Sequence, residues 1–201
     1  MPKSNNPFEE IDNMLMEVRE MLTIAEDTSD INELVVLQLL LQLTKELHSI
    51  TNVHYLITKV LDSALAFVDG ERAFLMLLDE EGSPQFKMGR TADGSYLARE
   101  DFSPSTTVIS EALRTGQTII IPDAQADEEL SKRASVQNLG LRTIICSPMM
   151  IKRVVIGLLY VDSQRRMVAS FNDKASINFL ASLADQSAVA IRNAQKFETF
   201  T

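Results

Sequence analysis

The chain has 201 residues, 45% of them hydrophobic, enough to bury a core of ordinary domain size and too many for wholesale disorder. Nineteen basic residues stand against 28 acidic ones, a formal charge of −9, with no Lys/Arg stripe of the kind that grips a nucleic-acid backbone. One cysteine, Cys146, excludes an internal disulfide and fits a reducing compartment. The densest apolar run, Leu34 to Leu43, is interrupted by Gln38 and Gln42 and falls short of the roughly 18 residues a membrane span needs. The opening "MPKSNNPFEEID" lacks the basic-then-apolar pattern of a secretory signal, so a cytoplasmic protein without membrane contact is expected.

At the N-terminus Phe8, Ile11, Leu15, Val18, Leu22 and Ala25 are spaced 3, 4, 3, 4 and 3 residues apart. That rhythm lays a narrow apolar seam along a helix, as in a coiled coil, and makes Ile11, Leu15, Val18 and Leu22 candidates for a homodimer seam. The same stripe also suits a helix folded back on its own domain. The rhythm breaks at "EDTSDINE", dividing an amphipathic segment and linker, 1–30, from a domain spanning 31–201. Asp30 and Glu33 resemble a capping box for a helix to about Ile50, apolar around most of its circumference. Asn52 caps a third helix, with Leu56, Val60, Leu61, Ala64 and Val68 on one face and Asp69-Gly70 as its left-handed stop.

From Arg72 the texture changes. "RAFLMLLD" and "PQFKMGRT" are short strands joined by "EEGS", a hairpin signal. A short helix opens at Ser105 or Thr106 and closes at Gly116; "QTIII" is a strand stopped by Pro122. A loop and short helix end at Gly140, and two apolar strands follow within Leu139 to Asp162. Their corner, Ile151-Lys152-Arg153, has none of the Gly, Asn or Asp that a two-residue turn favours, so a longer or bulged turn is expected. Asn172 or Asp173 caps a long last helix whose seam, Ile177, Leu180, Ala184, Ser187, Ile191 and Ala194, repeats the 3–4 spacing. Helices flanking hairpin-linked strands predict an α+β fold around an antiparallel sheet.

The catalytic inventory is thin. His48 and His54 are six residues apart, not the three or four that put two ligands on one helix face. No Gly-rich phosphate loop or serine elbow is present, so neither an enzyme nor a metal site is expected.

An ordered set of segments resembles the GAF domain: "ISEALRTGQTIIIPDAQADEEL", "SVQNLGLRTIICSPM", "VIGLLYVDS" and "FNDKASINFLASLADQSAVAIRNAQ", over roughly 36–197. The likeness implies a GAF-like, PAS-related fold: a central antiparallel sheet of order 2-1-5-4-3 with N- and C-terminal helices on one face. Short roof helices would close a small-molecule pocket on the other. It also implies a non-catalytic sensory domain of a bacterial signalling protein, dimeric through its first and last helices. Such a domain would relay to an output domain or partner protein. Ile177, Leu180, Ala184 and Ile191 join the dimer-seam candidates on this basis. Strand alternation aligned to the family pattern turns Ala73, Leu75 and Leu77 toward the helices. It makes Phe74, Met76, Phe86, Met88, Ile144, Cys146 and Leu159 the ligand-pocket candidates.

The resemblance stops short of a cofactor. Cyclic-nucleotide-binding members carry an Asn-Lys pair, then Phe, three residues and Asp-Glu; the matching positions here are Asp162-Ser163, Phe171 and Ala175-Ser176. One cysteine cannot complete a methionine-sulfoxide reductase cycle, and Cys146 lies inside a strand, away from the usual bilin-attachment setting. Haem ligands are not evident. Two readings remain: a ligand-gated sensor, and a ligand-free dimerisation or protein-interaction module.

Overall fold

The computed structural model describes residues 29–165 and 174–199. The N-terminal seam Ile11, Leu15, Val18 and Leu22, and the caps Asn172 and Asp173, lie outside them. Helix α1 (Ser29–Ser49) buries Leu39, Leu43 and Leu47. Helix α2 (Val53–Val68) starts where Asn52 Oδ1 accepts the Tyr55 amide at 2.8 Å. Its left-handed stop is Asp69 (φ 53°) rather than Gly70. Gly70 serves another need, because a Cβ there would run into Val161 Cγ1.

The strands are β1 (Arg72–Leu78), β2 (Pro84–Thr91), β3 (Tyr96–Leu97), β4 (Ile119–Ile121), β5 (Thr143–Ile151) and β6 (Val154–Ser163). They form one antiparallel sheet of order β3-β2-β1-β6-β5-β4. The two-residue β3 at one edge was not foreseen; without it the order is the expected 2-1-5-4-3. Arg90 fastens that edge to α2 through two 2.9 Å bonds to Asp62, and its guanidinium lies 4.5 Å from the Tyr96 ring centre. Helix α3 (Thr106–Thr115) ends at Gly116 and α4 (Ala134–Leu139) at Gly140, both left-handed. The long helix α5 (Lys174–Thr199) closes the fold.

The sheet is apolar on both faces. One face packs against α1, α2 and α5: Ala73, Leu75, Ile145 and Val161 meet Leu56, Val60, Phe179 and Leu183, and Phe67 stacks on Phe179 at 3.7 Å between ring centres. The α5 seam belongs to this core. Leu180, Ala184 and Ile191 are fully buried within the subunit, and Ile177 is half-buried beside Pro148 and Met150. Leu180, Ala184 and Ile191 thus pack against this core within the subunit, because a helix lying on a sheet needs the same 3–4 stripe as a coiled coil. What α1 turns outward is Leu37 and Leu41, one turn apart and each more than half exposed.

The β5–β6 corner is tighter than expected. Lys152 (φ 51°) and Arg153 (φ 67°) both take the left-handed conformation of a type I′ turn, and a bulge sits just inside it, between Met149 and Met150. Long side chains are costly there. Replacing the pair by Asn-Gly is expected to raise stability by about 1 kcal/mol, read as a higher urea midpoint.

Candidate functional site

The second face of the sheet lies under a roof built from α3, α4, two short 3₁₀ turns (Arg99–Asp101 and Leu130–Lys132) and their loops. Strand alternation sends Phe74, Met76, Leu158, Tyr160, Ile144 and Cys146 to this side. The roof returns Val108, Ile109, Ala112, Leu130 and Val136, with Phe102 and Leu97 at the margin.

Phe74 is the centre of the cluster. Its ring centre is 4.9 Å from Phe102, 6.2 Å from Tyr160 and 6.4 Å from Phe86, all tilted as aromatic pairs prefer. Gly89 opposite makes room for it, since a Cβ there would stand 2.7 Å from Phe74 Cδ1. Phe74, Ile144, Cys146, Leu158 and Tyr160 are each 0% exposed, sealed from solvent. The roof is down, and the side chains fill the space beneath it.

Five of the seven pocket candidates gather here: Phe74, Met76, Phe86, Ile144 and Cys146. Two do not. Leu159 pairs with Leu75 across β1–β6, and cross-strand partners share a face, so both point to the helices. Met88 points there too, because the β1–β2 register passes from Leu75↔Met88 to Met76↔Phe86 and skips Lys87. That bulge breaks the alternation that would have put Phe86 and Met88 on one face.

Sequence reasoning missed the polar part of the roofed face. Arg72 gives two bonds to Asp162, Nε–Oδ1 at 2.8 Å and Nη2–Oδ2 at 2.7 Å, and its guanidinium carbon lies 5.4 Å from the Phe74 ring centre. Asp162 is 0% exposed. Burial pushes its carboxyl up, and the guanidinium pulls it back only in part. Burial works to lower Arg72, but the bonds and charge of Asp162 prevail and raise it. Tyr160 Oη accepts the Ser105 amide at 3.1 Å, tying α3 to the sheet, and burial pushes its phenol up. Burial alone drives the Cys146 thiol up, leaving it protonated and a poor nucleophile. The only signal for the ion pair was the opposite charge at the two strand ends.

Beside this pair Glu71 accepts bonds from the Gln164 amide (2.6 Å), Ser163 Oγ (2.9 Å) and Arg165 Nε (3.0 Å). Burial would push its carboxyl up, but those bonds outweigh it and hold it below the ordinary 4.5. A depressed carboxylate contributes stability above that value and loses it as the pH falls through the folded one. Glu71→Gln is expected to destabilise by less than about 1 kcal/mol at neutral pH, given solvent screening, and by progressively less as the pH falls into the acid range. Urea midpoints at neutral and acid pH check this.

His54 stands away from the roofed cluster, its Nε2 3.3 Å from Tyr96 Oη. Among the described residues no group of three His, Cys, Asp or Glu could hold a metal ion, and no helix is long and apolar enough to cross a membrane. Two clefts open outside the roof: one of about 430 Å³ at the β1–β2 end of α5, and one of about 410 Å³ between Gly116–Thr118, Met150 and Asp185. In the second, Asp185 Oδ1 accepts the Met150 amide at 2.8 Å, and burial pushes that carboxyl up.

This architecture has known counterparts. A solved GAF domain of an Acinetobacter phosphoenolpyruvate-protein phosphotransferase is similar, with a TM-score of 0.61 and 16% identity over 82% of this chain and 97% of that one. The free methionine-R-sulfoxide reductase of Neisseria meningitidis is similar at 0.59, with 14% identity over 88% and 99%. At these identities the likeness is one of fold alone. In sequence, the chain is 25% identical over 146 residues to the Caenorhabditis elegans "Probable 3',5'-cyclic phosphodiesterase pde-5", a match covering 67% of this chain and 20% of that protein's length. The family model of the GAF domain matches residues 38–191, so the chain belongs to the GAF domain family.

Proposed function

We propose that the chain is a non-catalytic regulatory module of a bacterial-type signalling protein, closed beneath its roof, that works as a homodimer and passes its state to an output domain or partner protein. The observation that carries this reading is the filled roof: Phe74, Cys146 and Tyr160 occupy the space where a ligand would lie. No nucleophile with an adjacent base stands in that space: the Cys146 thiol is protonated, the Tyr160 phenol accepts an amide, and the Ser105 hydroxyl has no base bonded to it. Among the described residues, the face of α1 that carries Leu37 and Leu41 offers two exposed apolar side chains one turn apart, which supports pairing there. A native mass spectrum of freshly purified protein tests both points. The expected species is a dimer with the mass of two bare chains, converted to monomer by Leu37→Glu with Leu41→Glu. A retained small molecule, or a monomer in the unsubstituted protein, would contradict it.

A second reading, a small-molecule sensor, is favoured by one observation. Ser105 Oγ is buried under the roof with no hydrogen-bond partner, beside the Tyr160 hydroxyl. A ligand that lifted the roof would meet that hydroxyl, and it could shift the equilibrium only by its preference for the open form.

A further inference from the structure

The sheet has two bulges, and both aim at one place. In β2 the skipped residue is Lys87, between Phe86 and Met88; in β6 it is Ile156, passed over where Met149↔Gly157 gives way to Met150↔Val155. Both line the cleft of about 430 Å³ between the C-terminal end of β1, the start of β2 and the last turns of α5. Bulges re-aim a side chain that regular alternation would place elsewhere. Here they deliver a cation and an apolar wall to the same cavity, far along the strands from the Arg72–Asp162 pair.

The rest of the lining fits that pairing. Leu77 extends the apolar wall, and Arg192 brings a second cation from α5. Lys87 and Arg192 are exposed, and neither has an ion-pair or hydrogen-bond partner among the described residues, in a chain whose net charge is −9. The acid in the lining, Asp79, is already engaged. Its Oδ1 accepts the amides of Ser83 (2.8 Å) and Glu81 (3.1 Å), and its Oδ2 accepts Gln85 Nε2 at 2.7 Å. It closes the β1–β2 turn and leaves the two cations unpaired.

We propose that this cleft binds a small organic anion, with its phosphate or carboxylate between Lys87 and Arg192 and its apolar part against Leu77 and Ile156. The volume suits a ligand of that size. Arg presents a flat fork to such a group and Lys a point charge, so each contributes separately. Occupancy would join β2 to the last turns of α5. This site is separate from the roofed face and does not depend on whether the roof is closed.

The test is an amide NMR titration of the whole chain with phenyl phosphate, and with inorganic phosphate alongside. Saturable shifts are expected at Lys87, Ile156 and Arg192 and not at Phe74 or Cys146, with inorganic phosphate the weaker ligand. Lys87→Gln and Arg192→Gln should each weaken phenyl phosphate about tenfold, and the double substitution should abolish saturation. Both positions are exposed, so the variants are expected to fold, and an unchanged spectrum elsewhere verifies it. Absence of saturation, equal affinity for the two phosphates, or affinity indifferent to both substitutions would overturn the proposal.

Discussion

Phe74→Ala is expected to cost about 3–5 kcal/mol, or roughly 10 °C in Tm for a chain of this size. The residue is 0% exposed and touches aromatic rings on three sides, so truncation removes the transfer energy of the ring, three aromatic contacts and the support beneath the roof. The cavity left behind is apolar, and an apolar cavity of this kind stays dry and accepts a small aromatic guest. Benzene should therefore raise the Tm of Phe74→Ala and leave that of the unsubstituted protein alone. Phe67→Ala on the helix side provides the control: a comparable loss, since Phe67 is equally buried, without change at the roof. Thermal denaturation with and without benzene measures all three. A loss below about 1 kcal/mol for Phe74→Ala would mean the ring is not packed as described.

Arg72→Ala is expected to cost a similar amount, about 3–5 kcal/mol, for a different reason. The substitution leaves Asp162 buried without its counter-ion, and an uncompensated carboxylate is the expensive outcome. The pH dependence identifies that cause. Burial already pushes the Asp162 carboxyl above its ordinary 3.8, and loss of Arg72 pushes it further. A raised carboxyl favours the folded state below the unfolded value and loses that advantage as the pH rises through the folded one. The deficit of Arg72→Ala should therefore shrink in acid and grow toward neutrality. Replacing both partners, Arg72→Met with Asp162→Leu, should recover most of the loss, because two apolar side chains leave no charge to solvate. Urea midpoints for the single and double variants across the acid range decide it. A deficit independent of pH would place the loss in packing rather than charge.

The contrast between the two faces of the sheet explains how much of the site is legible in the sequence. Ala73, Leu75 and Leu77 alternate with Phe74 and Met76, and strict alternation is a local property, so those residues were placed correctly on opposite sides. Leu159 needed one more step: its pairing with Leu75 fixes its face, but pairing register is a long-range property that a single strand does not reveal. Met88 lay further out of reach, since the bulge at Lys87 carries no glycine or proline to announce it. The corner at Lys152-Arg153 is the same kind of case, with a turn imposed by two long strands on residues that do not favour it.

The α5 stripe shows a different limit. Leu180, Ala184 and Ile191 are spaced alike for a partner helix and for a sheet, and only the tertiary arrangement chose the sheet. The ion pair at Arg72 and Asp162 was hidden because each charge sits at a strand end, where solvent is the default expectation, and the pairing of β1 with β6 that brings them together is a long-range property.

The central claim is that the ligand-free domain keeps its roofed face filled. Aromatic NOE spectroscopy on the purified, unliganded protein addresses it most directly. Cross-peaks from the Phe74 ring to Phe102 and Tyr160, whose ring centres lie 4.9 and 6.2 Å away, are the predicted result. Missing contacts to Phe102, with cross-peaks from the Phe74 ring to water instead, would show an open cavity and contradict the account.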